Sequence, residues 1–446
     1  MAQSTQGTTA KAQGARLNAF QITTFALCAV VAMIDGFDTQ SVALAAPDIA
    51  AAWNIAPAQF GGVFASGLLG ALFGALIFGT AADRFGRKPS LLVAILLFGV
   101  VNLATPYATN LDELMLVRFI TGLGLGGALP GVIAVTSEYA PANRRATIVG
   151  LMFCGFPLGA VIGGVVAAQM MPAHGWEILF YLGGIVPLVL LPVIALLIPE
   201  SVRFLALRGD HARVEKLRRR MNADPQEDSA SGTGKASIMS LFRGHKALGT
   251  FILTLTFLLS LMLAYFLVNW LPILARQAGV GMQGAVLGVA ALNLGAILGC
   301  LVIGRLADRH GPAGPIGWGY AIGALAIALV GLSAHSTPLL LVTCFVAGAL
   351  AIGAQMCLVA LGAIFYDTEI RATGVGWLLG TGRIGAILGP ILGGLLIARG
   401  VTASQLFLVA GGVSLLAALG AFAMGVFVLR KPRGAITPPA SAVETE

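Results

Sequence analysis

Twelve long apolar runs separated by short polar breaks dominate the chain. They fall at about Phe20–Ala46, Gln59–Thr80, Ser90–Ala108, Leu114–Ser137, Ala146–Met170 and Ile178–Ile198, then at about Leu248–Leu274, Gly284–Leu306, Ile316–Ala334, Pro338–Phe365, Ala372–Ala398 and Ser404–Leu429. One longer charge-rich stretch, Pro199–Lys246, divides them six and six. A helix needs roughly 20 apolar residues to cross the hydrocarbon core, and each run meets that length. The runs are too long for barrel strands and lack period-two alternation, which excludes a transmembrane β-barrel. They are rich in Gly and Ala, which suits close helix packing in lipid. The pattern predicts an all-α membrane protein with twelve transmembrane helices. Its units are an N-terminal tail (1–19), a six-helix bundle (20–198), a central loop (199–246), a second bundle (247–429) and a C-terminal tail (430–446).

Composition sharpens this. Of 446 residues, 57% are hydrophobic and 10% charged, against about 25% charged in an ordinary soluble protein. Mean hydropathy is +0.90. A soluble enzyme, a disordered chain and a fibrous protein are excluded. The net charge of +8 would suggest nucleic acid in a soluble protein, but its placement points elsewhere. With both termini on the cytoplasmic side, 23 of the 27 Lys and Arg fall in cytoplasmic segments. The outer loops hold Arg276 and Arg399, and the spans hold Arg118 and Arg383. That asymmetry obeys the positive-inside rule and predicts an integral protein of a bacterial-type plasma (inner) membrane, with no nucleic-acid partner. The basic run Arg213–Arg220 reads as an amphipathic helix near lipid headgroups. Met1–Leu17 lacks the basic-then-apolar order of a cleaved signal peptide. Cys28, Cys154, Cys300, Cys344 and Cys357 sit in apolar runs without metal-ligand spacing and read as small core residues.

The chain repeats itself. Gly79, Ala82, Asp83, Arg84 and Gly86 match Gly304, Ala307, Asp308, Arg309 and Gly311 at an offset of 225. At an offset of 226, Arg145-Ala146-Thr147 match Arg371-Ala372-Thr373, and Gly150, Gly159 and Gly163 match Gly376, Gly385 and Gly389. Two parallel copies of six spans are a transporter architecture with its site near the midplane between them.

These motifs carry a resemblance. Gly79–Lys88 (GTAADRFGRK) resembles the loop signature between the second and third helices of the major facilitator superfamily. Arg118–Gly126 (RFITGLGLG) resembles its fourth-helix signature, and Pro199–Leu205 resembles the segment that ends the sixth helix in many members. Asp35-Gly36-Phe37-Asp38 looks like the DGxD signature of the aromatic acid:proton symporters, and Gly376–Gly389 resembles their eleventh helix. The resemblance implies a transporter of hydroxybenzoate-like or hydroxyphenylpropionate-like acids with a proton. The GPxxGG helix end of proton antiporters departs here to Gly155-Phe156-Pro157-Leu158-Gly159 followed by Gly163-Gly164.

Four ionisable residues sit deep in spans: Asp35, Asp38, Arg118 and Arg383. Such charges are costly in lipid and face a cavity or a partner. Asp35 and Asp38 share a helix face and, with Arg118 at similar depth, are candidates for proton coupling. An ion pair that merely fixes helix packing is the alternative. The four charges sum to zero, so an added carboxylate calls for one proton. No His lies within a span, which leaves proton coupling to carboxylates. Arg383 lies about 11 residues, roughly 16 Å, into the eleventh span, and its counterpart in the first half is Pro157. A guanidinium matches a carboxylate with two parallel hydrogen bonds, so Arg383 is the candidate substrate anchor, with structural pairing as the other role. Phe37, Phe156, Tyr265, Asn269, Trp270, Asn293, Gln355 and Trp377 are candidate cavity-lining residues or helix-packing ones. Asp83, Arg84, Arg87, Glu138 and Arg145, with Asp308 and Arg309 in the second half, read as a cytoplasmic gate network, and Asp83 would also favour the positive N-terminus of the eleventh helix.

The reading is an importer of an aromatic carboxylate in symport with protons, acting as a monomer in the bilayer, without cofactor or metal, and not an enzyme. A sugar or polyol porter leaves Arg383 and the DGxD pair unexplained. A drug:proton antiporter prefers acidic cavities without a midplane Arg. A membrane enzyme or receptor lacks any catalytic or metal motif and any long outer loop.

Overall fold

The computed structural model describes residues 17–141, 144–221, 237–244, 246–333, 336–367 and 369–429. Both tails beyond these limits, the central part of the 199–246 loop, His245 and His335 lie outside the described residues. Twelve helices are long and apolar enough to cross a membrane: α1 (Ala19–Ala52), α2 (Pro57–Phe85), α3 (Arg87–Tyr107), α4 (Leu111–Tyr139), α5 (Thr147–His174), α6 (Glu177–Leu197), α7 (Lys246–Gln277), α8 (Met282–His310), α9 (Ala313–Leu332), α10 (Thr337–Phe365), α11 (Thr373–Ala398) and α12 (Ala403–Val426). Twelve crossings put α1's start and α12's end on one side, the termini side. The opposite side is the far side.

Several helices outrun the apolar patterns that reveal them. The pattern of α1 fades at Ala46, but its backbone continues through Pro47 to Ala52. Asp38 therefore lies mid-helix rather than near the outer end, where the apolar run alone places it. Asn18 fixes the start: its side chain accepts from the Gln21 amide at 2.9 Å, and the Gln21 side chain accepts from the Asn18 amide at 3.2 Å. The basic run folds as the helix His211–Met221, with Val214 buried on the apolar face. Two spanning helices are interrupted. A turn at Cys154 divides α5, and α10 contains a π-turn at Gly348–Ile352 and a second break at Leu358.

The repeat is visible as packing. In the first half α2 lies on α4 and α1 on α5; in the second α8 lies on α10 and α7 on α11. Glycines make these contacts backbone to backbone. A Cβ on Gly70 would stand 2.0 Å from the Phe119 carbonyl oxygen, and one on Gly295, 225 residues later, 2.1 Å from that of Phe345. The matched pair Gly159 and Gly385 would clash in the same way with the Met33 and Leu258 carbonyls, at 1.8 and 2.1 Å. Lipid tails are as apolar as Leu, so close approach of small residues, not hydrophobic exclusion, drives such contacts.

The two halves meet tightly on the far side. Phe64 of α2 meets Trp270 of α7 edge-on, with ring centroids 5.5 Å apart. A Cβ on Gly394 of α11 would lie 2.6 Å from the Ala58 carbonyl oxygen at the start of α2, and one on Gly164 of α5 would lie 2.9 Å from the Ala290 Cβ of α8. Gln283 of α8 donates to the Ala168 carbonyl of α5 at 3.4 Å.

The seams predict a contrast along one helix. Gly385→Val would drive two methyl groups into the Leu258 backbone, whereas Gly380 on the same helix faces open space. Overpacking typically costs about 1–3 kcal/mol, occasionally more. Gly385→Val is expected to lower the yield of monodisperse protein and its melting temperature in detergent, with Gly380→Val close to wild type. Equal behaviour of the two variants contradicts the seam assignment.

Candidate functional site

A cavity of about 370 Å³ lies between the halves. Its wall follows α4 from Arg118 to Ile133, α5 at Phe153 and Phe156, α7 from Phe257 to Asn269, α10 from Ile352 to Val359 and α11 from Leu379 to Ala386. The lining reaches from Phe64, Arg118 and Asn269 on the far-side parts of their helices to Ile133, Phe153, Val359 and Leu379 on the termini-side parts, so with the far side sealed the cavity faces the termini side. Its lining is chiefly apolar with a few polar groups, the usual composition of a small-molecule site.

The charged cluster forms at the closed end of the cavity, toward the far side. Asp35, Asp38 and Arg118 are at most 4% exposed, and all three border the cavity. Asp38 and Arg118 pair at 3.6 Å. The Arg118 fork is shared with neutral groups, Nη2 donating to Asn102 Oδ1 at 2.5 Å, Thr105 Oγ1 at 2.7 Å and Thr121 Oγ1 at 3.2 Å. Phe180 of α6 closes over the guanidinium, its ring centroid 5.0 Å away, a further cation stabilisation. Neither carboxylate oxygen of Asp38 accepts a hydrogen bond, and Asp35 accepts one, from Thr39 at 3.2 Å. The cluster thus holds one cation generously and two carboxylates sparingly.

Arg383 reaches the cavity from α11. Its Nη1 donates across the halves to the Ala71 carbonyl of α2 at 3.1 Å, and it forms no ion pair among the described residues. Phe156, Tyr265, Asn269, Asn293 and Gln355 also line the wall. Asn269 spends its amide on the Tyr265 carbonyl at 2.8 Å. Asn293 is in a reciprocal amide pair with Gln40 of α1, at 3.1 and 3.2 Å across the halves. Gln40 and the Arg118 acceptors Asn102, Thr105 and Thr121 escape a reading guided by charge and aromaticity. Their signal is polarity inside an apolar run, which a single amide or hydroxyl gives weakly.

Three sequence candidates lie apart from the cavity. Trp270 is fully buried, its Nε1 donating to the Pro390 carbonyl at 3.1 Å and its ring held by Phe64. Trp377 donates to Thr254 Oγ1 at 3.0 Å and packs edge-on against Phe242 of the central loop. Phe37 turns toward α5, beside Gly163. All three hold helices together: a large side chain in a tightly packed bundle fills the seam that its helix face dictates, and here those faces point away from the cavity.

On the termini side, Arg87 pairs with Glu138 at 2.8 Å, and Glu138 also accepts from the Ser201 hydroxyl at 2.7 Å. Glu200, absent from the sequence candidates, caps α3 by accepting from the Arg87 and Lys88 amides at 2.8 and 3.1 Å. Gly86, at φ +108°, makes the turn into α3, where a Cβ would stand 2.6 Å from Glu200 Oε2. The Arg84 carbonyl accepts from Arg208, and its guanidinium lies over Phe85. Asp83 borders a smaller cavity beside Arg87. Asp83, Arg145, Asp308 and Arg309 are exposed and form no ion pair among the described residues, so the network joins part of the expected set, while the second half pairs Lys246 with Asp367 on the same side.

Comparison with known proteins agrees with this architecture. The sequence profile of the Major Facilitator Superfamily matches residues 28–363 and 290–445. The chain is 37% identical to the 4-hydroxybenzoate transporter PcaK of Pseudomonas putida, over 92% of this chain and 94% of that protein. It is 37% identical to the gallate transporter of Pseudomonas putida over 94% and 95%, and 37% identical to the 3-(3-hydroxy-phenyl)propionate transporter of Escherichia coli K12 over 94% and 96%. In fold it is similar to the partially occluded inward-open form of the E. coli xylose transporter XylE, with a TM-score of 0.70 at 18% identity, covering 90% of this chain and 97% of that one. Two six-helix repeats around a central cavity, matched across nearly the whole chain, make this protein a transporter, not an enzyme, and a member of the Major Facilitator Superfamily.

Proposed function

We propose that the protein imports an aromatic carboxylate, hydroxybenzoate-like, together with a proton by alternating access. The observation that carries this reading is Arg383: a guanidinium on the wall of an apolar cavity, bonded to a backbone carbonyl and in no ion pair among the described residues. A carboxylate arriving in the cavity replaces that weak acceptor with a bidentate one. The names of the 37%-identical relatives, each a transporter of an aromatic acid, point to the same substrate class. A sugar or polyol would not call for the cation, and an antiporter for cationic drugs would be repelled by it.

Proton coupling follows from charge balance. Asp35, Asp38, Arg118 and Arg383 sum to zero, and a bound carboxylate leaves a net negative charge that one proton removes. Asp38, paired with Arg118 at 3.6 Å but without a hydrogen bond, and Asp35 are the candidate carriers. The positive-inside asymmetry makes the termini side cytoplasmic, so the cavity faces inward. The Arg87–Glu138 pair, formed while that mouth is open, and exposed Asp83 belong to the gate that is completed when the mouth closes.

Three outcomes test this. Arg383→Ala is expected to lose about 2–5 kcal/mol of binding for an aromatic acid but little for its uncharged amide, with Arg383→Lys in between, measured on variants shown to reach the membrane in normal amounts. Undiminished preference for the acid in Arg383→Ala overturns the anchor. Asp35→Asn and Asp38→Asn should each abolish accumulation against a gradient, and at least one should retain counterflow exchange, in proteoliposomes; wild-type accumulation by both removes the proton assignment. Asp83→Asn should slow turnover with substrate affinity nearly unchanged, by uptake rates and equilibrium binding. A large loss of affinity with intact turnover places Asp83 in the binding site instead.

A further inference from the structure

The transport reading makes no use of the thiols, yet two of them meet. Cys300 of α8 and Cys357 of α10 have their sulfurs 3.8 Å apart, and the Cys357 thiol donates to the Cys300 carbonyl at 3.5 Å. Both are half-buried, whereas Cys28 and Cys344 are fully enclosed. The backbones hold the pair in place. Gly353, one turn before Cys357 on the same face, lies so close to α8 that its Cβ would stand 2.9 Å from the Cys300 amide nitrogen. Packing does not require the sulfurs: the equivalent crossing of α2 on α4 carries Ala75 and Gly131 at the matching positions.

We propose that Cys300 and Cys357 form a two-thiol site for a thiophilic ligand of the trivalent arsenical class. Soft thiolate sulfur is the natural donor for such centres, and one arsenic spans two adjacent sulfurs. With phenylarsine oxide the arsenic–oxygen double bond is replaced by two arsenic–sulfur bonds, the two thiol protons leave on the oxygen as water, and no atom changes oxidation state. The site joins α8 to the segment Gly353–Cys357 of α10, which lies between the π-turn at Gly348–Ile352 and the break at Leu358. Gln355 and Met356 of this segment line the cavity. Interrupted ladders mark places where a helix flexes, so bridging the thiols pins a cavity wall that transport moves. The effect on uptake rests on the proposed transport of an aromatic acid; the binding does not.

The test uses the purified full chain carrying Cys28→Ala, Cys154→Ala and Cys344→Ala, treated with phenylarsine oxide in excess 2-mercaptoethanol and read by intact mass. Chelation by two tethered thiols exceeds single attachment by at least ~10²-fold in effective affinity. One phenylarsenic group per chain is therefore expected to survive the monothiol and to be stripped by 2,3-dimercaptopropanol. Adding Cys300→Ser or Cys357→Ser should abolish retention. Equal retention by the pair and by either single thiol overturns the site. If the triple background does not fold, the same comparison is made between wild type and wild type carrying Cys300→Ser or Cys357→Ser. In cells, phenylarsine oxide should lower uptake of labelled 4-hydroxybenzoate in wild type and spare Cys357→Ser; an adduct that leaves uptake unchanged overturns the pinned wall. Should the chain carry no aromatic acid at all, the mass readout alone still decides the site.

Discussion

Helices in lipid gain nothing from hiding apolar surface from one another, and every other feature of this protein rests on how it meets that constraint. The solution is backbone against backbone. Gly70 against Phe119, Gly295 against Phe345, Gly159 against Met33 and Gly385 against Leu258 all have carbonyl oxygens where a Cβ would stand. The contacts recur at the 225–226 offset because each half is the same six-helix packing solution. They leave the large side chains for other tasks. Trp270 and Phe64 seal the far side between the halves, and the gap on the termini side becomes the cavity.

Within that frame the charges are arranged asymmetrically. Arg118 is surrounded by three neutral acceptors, a ring face and one carboxylate, so its charge has partners besides Asp38, as the proposed proton coupling requires. Removing one partner of a buried pair ordinarily costs about 3–5 kcal/mol, because the other charge is left alone. Here the amide and the hydroxyls are present to soften that loss. The halves differ in the same spirit. The ion pair Arg87–Glu138 has no charged counterpart in the repeat, where Pro312 and Ile364 stand, and the midplane Arg383 corresponds to Pro157.

The architecture was legible in the sequence because lipid imposes a length and a composition on every span, and the repeat was legible from the charged loop motif around Asp83 and Asp308 and from matched glycines, of which Gly159 and Gly385 sit at seams with no room for a Cβ. Intramembrane charges were equally plain, since each is an exception in an apolar run. The wall of the cavity was not. Periodicity says which residues share a face, but not which neighbour that face meets. In sequence Trp270 and Trp377 are therefore as eligible as Tyr265, while Gln40 is distinguished only by Asn293 of the other half, which stands opposite it. Helix ends were blurred for a related reason: hydropathy reports where lipid stops, and the backbone of α1 runs on to Ala52.

The Ala71 carbonyl serves two masters. It accepts from Arg383 at the cavity wall, and it occupies the place where Gly126 of α4 would carry a Cβ, 2.0 Å away. A methyl added at Gly126 displaces the oxygen that Arg383 holds, although Gly126 is neither charged nor ionisable. Substitutions at these three positions are therefore epistatic: the effect of changing one depends on what stands at the others.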